Sequence, residues 1–100
     1  MTELYDPKDP LETVVCSMDF TVALGGETST DCVVDVFRAD LAAEDTTAMV
    51  VGSVDTSSAP IMRQKISGGT HGVNYVVRFK VTTAQRVVTG SAYMLVKKGA

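Results

Sequence analysis

Tryptophan is missing from this chain of 100 residues, histidine occurs once, cysteine twice, and the aromatics amount to three Tyr and three Phe. Each scarcity excludes something. With His71 as the only imidazole, any base-assisted nucleophile would have to use that one residue. His71 lies in the glycine-rich stretch 67–72 (SGGTHG), which lacks the strand–turn–helix setting of a nucleophile elbow. It reads as a solvated turn histidine. Cys16 and Cys32 stand sixteen apart with no Cys-x-x-Cys and no second histidine, so a zinc site is not indicated. In a reducing compartment they read as two buried small hydrophobes rather than a disulfide. Gly68, Gly69 and Gly72 are followed by no lysine or helix at phosphate-loop spacing. Asp31, Asp35, Asp40, Glu44 and Asp45 lack the dense alternation of a calcium loop and read as a solvated acidic edge. The chain is therefore expected not to be an enzyme, with no catalytic residue, cofactor or metal.

Long apolar runs are also missing, and none approaches a membrane span. The opening MTELYDPKDP is acidic and proline-bearing, without the positive start and apolar stretch of a secretory leader. Synthesis in the cytoplasm and no membrane partner are expected. Basic charge is scarce as well: the net charge is −3, which argues against nucleic acid as a partner. The charge is unevenly spread. Residues 1–50 hold eleven acids against Lys8 and Arg38, a net of −9. Residues 51–100 hold only Asp55 against Arg63, Lys65, Arg78, Lys80, Arg86, Lys97 and Lys98, a net of +6.

What is present is valine, threonine and alternation. Residues 1–12 read as an extended arm, because Asp6-Pro7 and Asp9-Pro10 block a helix; the arm is expected to order on docking. From Thr13, the apolar Val14, Cys16, Met18, Phe20, Val22 and Leu24 repeat at period two, predicting a first strand that Gly25-Gly26 ends. A second strand is predicted near 30–37, with Cys32, Val34 and Val36 inward and Val33 as an irregularity. Residues 38–47 fit a loop or a helical turn capped by Asp40. Further strands are predicted at about 48–54 and 61–67, with Pro60 at an edge or a strand start.

The clearest strand is 73–83: Val73, Tyr75, Val77, Phe79 and Val81 point one way, and Asn74, Arg78, Lys80 and Thr82 the other, with Val76 as an exception. The last runs from about 86 to 96, with Val88, Ala92, Met94 and Val96 inward, and Gly90 marking a bulge or a close backbone contact. This spacing predicts an all-β, immunoglobulin-like β-sandwich of about seven antiparallel strands, residues 13–100 forming the domain. Tyr75 after Gly72 fits a tyrosine corner bonded back to the preceding loop; a tyrosine packing at the core rim fits equally.

In such a sandwich we expect the first, second and fourth main strands to share a sheet, with Asp31 and Asp35 facing Arg63 and Lys65. The other sheet would present Arg78 and Lys80 outward, near Arg86, Lys97 and Lys98, without acidic partners in the domain. Tyr5, Arg78, Lys80, Arg86 and Lys97 are the expected protein-contact residues.

Several short segments carry a resemblance. Lys8-Asp9-Pro10 with Glu12, Met18-Asp19-Phe20 in an alternating strand, and Gly26-Glu27-Thr28 resemble the opening of small tailed-bacteriophage structural proteins. Ser67-Gly68-Gly69, Gly72-x-x-Tyr75 and Val81-Thr82-Thr83 resemble their second half. The chain is similar to the phage fiber-tail adaptor family of immunoglobulin-like domains. The resemblance implies a non-enzymatic virion component that joins tail or fiber parts, partnered by other phage virion proteins and by copies of itself in a symmetric assembly. A head decoration or head–tail joining protein, or a ligand- or carbohydrate-binding sandwich, are the alternatives.

Overall fold

The structure, a computed structural model, describes residues 2–39 and 46–99. The strands are β1 (Thr2–Leu4), β2 (Thr13–Asp19), β3 (Ser29–Arg38), β4 (Val50–Asp55), β5 (Ile61–Ser67), β6 (Val73–Thr83) and β7 (Val87–Val96). Single helical turns, α1 (Thr21–Leu24) and α2 (Thr46–Met49), precede β3 and β4. One sheet has the order β1-β7-β6-β3 and the other β2-β5-β4. That division of strands is the immunoglobulin arrangement, with the first strand carried across to lie parallel to the last.

The layers form because alternate residues of each strand are apolar. On β6, Val73, Tyr75, Val77, Phe79 and Val81 are all buried. They meet Met18, Met62 and Ile66 of the facing sheet and Phe20 just beyond β2. Val34 and Val36 from β3 and Ala92, Met94 and Val96 from β7 complete the layer, whereas Val88 is only partly buried. Gly90 continues β7 without a register break, so the bulge reading falls away. A Cβ there would lie 3.1 Å from Phe20 Cζ and 3.2 Å from Met18 Cγ, which makes it a close-approach glycine. Tyr75 is buried and its hydroxyl accepts a hydrogen bond from Thr70 N at 2.9 Å, closing the corner before β6.

Three sequence expectations are corrected. The first strand stops at Asp19, because the Asp19 carboxylate accepts the Thr21 amide at 2.8 Å and turns the chain into α1, which leaves Val22 94% exposed. Gly25, at φ 58, ends that turn. The second main strand, β3, pairs with β6 in the other sheet, not with residues 61–67; β5 pairs with β2 and β4. The last correction concerns the N-terminal segment, expected to order only on docking. It lies along β7: Thr2–Leu4 pair in parallel with Ser91–Tyr93, Lys8 N donates to Leu95 O at 2.9 Å, and Lys97 N donates to Lys8 O at 2.8 Å. The Asp40 cap lies outside the described residues.

Lys8 fastens that segment. It is fully buried, and its Nζ donates to Asp9 O at 2.8 Å and Gly68 O at 2.7 Å. Burial lowers its pKa, and the nearby Glu12 and Asp9 carboxylates offset part of that shift. Asp9 in turn accepts the Gly99 amide at 2.7 Å and the Leu11 amide at 2.8 Å, which hold its carboxyl below the ordinary range.

Cys16 and Cys32 are free thiols in the core, one in each sheet, and burial raises both from 9.0 to about 11. The folded chain keeps these protons at pH values where the unfolded chain releases them. Stability is therefore expected to fall as pH rises from about 9 to about 11. A Cys16→Ala, Cys32→Ala variant should show a flatter alkaline limb in denaturant titrations, and an unchanged limb would refute this assignment.

Candidate protein interface

The outward face of the β1-β7-β6-β3 sheet carries the features that core formation does not explain. Strand register sets its rows. Phe37, Val76 and Tyr93 lie side by side across β3, β6 and β7; Asp35, Arg78 and Ser91 form the next row; Val33, Lys80 and Thr89 form the one beyond. An antiparallel sheet with one face in water ordinarily alternates apolar-in with polar-out. Here Tyr93 is 44% exposed and Val33 41% exposed on the outward face, and Phe37 and Val76 are half-buried only by their neighbours. A depression of about 400 Å³ is lined by Phe37, Arg38, Ala39, Val76, Arg78 and Ser91.

Arg78 does have an acidic partner inside the chain, contrary to the sequence expectation. Its Nη2 donates to Asp35 Oδ2 at 2.7 Å, and its guanidinium lies over the Phe37 ring at 4.8 Å. The cause is the β3–β6 pairing, which sets Asp35 directly opposite Arg78. Asp31 faces Thr82 in the same pairing, so neither acid faces Arg63 or Lys65. The Arg78 Nε is buried and makes no hydrogen bond among the described residues. Lys80, two positions along β6, is exposed and has no ion pair among the described residues.

The other expected contact residues are scattered. Arg86 also has an acidic partner. In the β6–β7 turn, its Nε donates to Glu27 Oε2 at 2.7 Å and its Nη2 to Ala23 O at 2.6 Å, pinning α1 to the end of the sandwich. Lys97 lies past the opposite end of β7, exposed, beside the turn where His71 Nδ1 accepts the Lys98 amide at 2.9 Å. Tyr5 is half-buried against the core: its amide donates to Tyr93 O at 2.8 Å and its hydroxyl to Ser17 O at 2.8 Å, tying β7 to β2.

So of the five expected residues the fold gathers Arg78 and Lys80 on one face. It adds Phe37, Tyr93, Val33 and Val76, which were not among the expected contact residues. The signal for the last two was legible: Val33 and Val76 are the residues that broke the alternation. Among the described residues, no three potential metal ligands gather, and no helix is long and apolar enough to cross a membrane.

No curated protein matches the chain. The family model described as podophage GP4 fiber-tail adaptor protein gp77 matches residues 8–94, a span that holds every strand from β2 to β6 and most of β7. This chain belongs to that podophage fiber-tail adaptor family.

Proposed function

We propose that the chain is a non-catalytic joint in the phage tail, acting in the virion after synthesis in the host cytoplasm, and that it meets another tail or fiber protein through the outward face of the β1-β7-β6-β3 sheet. The observation that carries this reading is the row Phe37–Val76–Tyr93, apolar and outward on a sheet whose other face already forms the core. Apolar surface of this kind marks a contact with protein. Arg78, paired with Asp35, borders the row, and the exposed Lys80 lies one row beyond; such a cation steers an acidic partner into register more than it tightens the complex. Tyr5 and Arg86 serve the fold itself, and Lys97 stands away from the face.

Val76→Asp would place an unpaired carboxylate in the middle of the contact. It is expected to lower incorporation of the protein into assembled tails by roughly tenfold or more, the equivalent of about 1.4 kcal/mol. Lys80→Glu is expected to slow association and reverse its salt dependence. Lys97→Glu should behave as the parent. Quantifying the protein in purified tails after complementation measures all three, with thermal melts confirming that each variant folds. Full incorporation of a folded Val76→Asp variant would sink the proposal.

A further inference from the structure

We infer that the outward face of the other sheet, β2-β5-β4, holds a second docking site: a recess that takes an acidic segment of a further tail component, with a carboxylate set between aliphatic side chains. The adaptor reading supplies only the place where that partner is found. The recess itself follows from the pairing of β4 with β5 and from the side chains that rim it.

The recess begins as a fault in that pairing. Val51 lies opposite Lys65 and Asp55 opposite Arg63, so three residues of β4 stand against the single Gln64 of β5. Gly52, at φ 69, lets the chain leave the ladder. Gln64 is 2% exposed, and its side-chain nitrogen donates to Val51 O at 2.9 Å, Lys65 O at 3.1 Å and Gly52 O at 3.2 Å. A buried amide bonded in this way fixes the shape of the bulge. The result is a depression of about 520 Å³, larger than the one beside Phe37.

Strand register sets what rims it. Val15, Lys65 and Val51 form one row across β2, β5 and β4, and Ser17, Arg63 and Asp55 form the next. Val15 is 60% exposed and Val51 40% exposed, with the exposed Lys65 between them. The two valines stand two strand spacings apart, about 10 Å. Neither Lys65 nor Arg63 has an ion pair among the described residues. The Asp55 carboxylate is engaged elsewhere, accepting the Ser57 hydroxyl at 2.6 Å and the Ser57 amide at 2.9 Å.

Charge and shape together select the occupant. A carboxylate over Lys65 finds an unpaired cation, its aliphatic neighbours cover Val15 and Val51, and Arg63, two residues along β5, takes a second acid. Exposed ion pairs are individually weak, so the valines supply the tightness and the two cations supply steering and choice of partner. A basic segment would meet like charge at both positions. Phosphate is the other anion such cations attract, but nucleic acid is met by a broad basic surface, and this chain has a net charge of −3 with its two cations here set among valines. An acidic protein segment is therefore the occupant that fits.

Photo-crosslinking in purified tails tests the inference, with p-benzoylphenylalanine replacing Ser53, at the recess, in one preparation and Tyr93, on the other sheet, in a second. Mass spectrometry of the adducts reads the segment that each face touches. From Ser53 the expected adduct is a segment whose acids outnumber its bases and adjoin aliphatic residues, on a protein other than the one reached from Tyr93. Adding Lys65→Glu is expected to cut the Ser53 adduct by roughly tenfold or more and to leave the Tyr93 adduct unchanged. Lys65 is exposed, and thermal melts confirm that the variant folds. The inference is overturned by no adduct at Ser53, or by an adduct with a basic or neutral segment, with nucleic acid, with a second copy of this chain or with the protein reached from Tyr93. An acidic adduct that Lys65→Glu leaves intact overturns it too. A Ser53 adduct that behaves as expected while Tyr93 gives none upholds this site and sinks the adaptor face alone.

Discussion

Replacing Phe79 with alanine is expected to remove about 3–5 kcal/mol of stability. Phe79 is fully buried at the middle of β6, with its ring centroid 6.5 Å from that of Phe20 at an interplanar angle of 58°. Strand register puts Gly90 opposite Phe79 on β7, and the missing side chain is the space into which the Phe20 ring enters. The two rings and the glycine thus form one interlocked unit between the sheets. Because the chain has only three Phe and three Tyr, few other large side chains can close the gap that truncation leaves. For a domain of this size each kcal/mol moves the melting temperature by about 4–8 °C, so a drop on the order of 20 °C is expected by calorimetry. Phe79→Leu should cost far less, about 1 kcal/mol, since it leaves a smaller void. A loss under about 1 kcal/mol for the alanine variant would mean that the layers are not sealed at this point.

Lys8→Ala is expected to cost about 2–4 kcal/mol, although lysine is ordinarily a surface residue whose truncation is nearly neutral. Here the whole side chain is enclosed. Its removal leaves a void beneath the glycine-rich turn and deprives the carbonyls of Gly68 and Asp9 of a charged donor. The loss is also expected to spread locally, because Lys8 anchors the segment that pairs with β7. Amide exchange at Tyr5 and Lys97 should accelerate more than exchange within β6. Lys8→Met separates the causes: it keeps the stem and omits the bonds, so its loss in denaturant titrations should be about half that of alanine or less. Equal losses for the two variants would assign the whole effect to the hydrogen bonds; no loss for either would refute the anchoring role.

The sandwich was legible where burial on one face imposes period two. Residues 73–83 read as a strand in the sequence and are β6 in the structure, because both its neighbours cover it and nothing competes with alternation. Legibility failed where a side chain bonds the backbone locally. Asp19 turns the chain at Thr21, although Val22 and Leu24 keep the strand period. It failed again for pairing between distant strands. Charge alone suggested that Asp35 would meet Arg63 or Lys65, but the turn chemistry that sends β3 to the opposite sheet sets it against Arg78. The N-terminal segment was the least legible part, since its attachment draws on Lys8 reaching the Gly68 carbonyl sixty residues away, which no local pattern records. On the candidate interface, the basic residues of β6 were visible in the sequence. Phe37 and Tyr93 were not, because being outward is a property of register rather than of composition.

The first and last strands run in the same direction and are held side by side by Thr2–Leu4 against Ser91–Tyr93, by the amides of Tyr5 and Lys8, and by the amide of Lys97. Tension drawn through the two ends of the chain would therefore try to slide one strand along the other. All of those bonds would be loaded together, rather than peeled open one after another. The paired ends of this chain therefore sit in the geometry that best resists being drawn out.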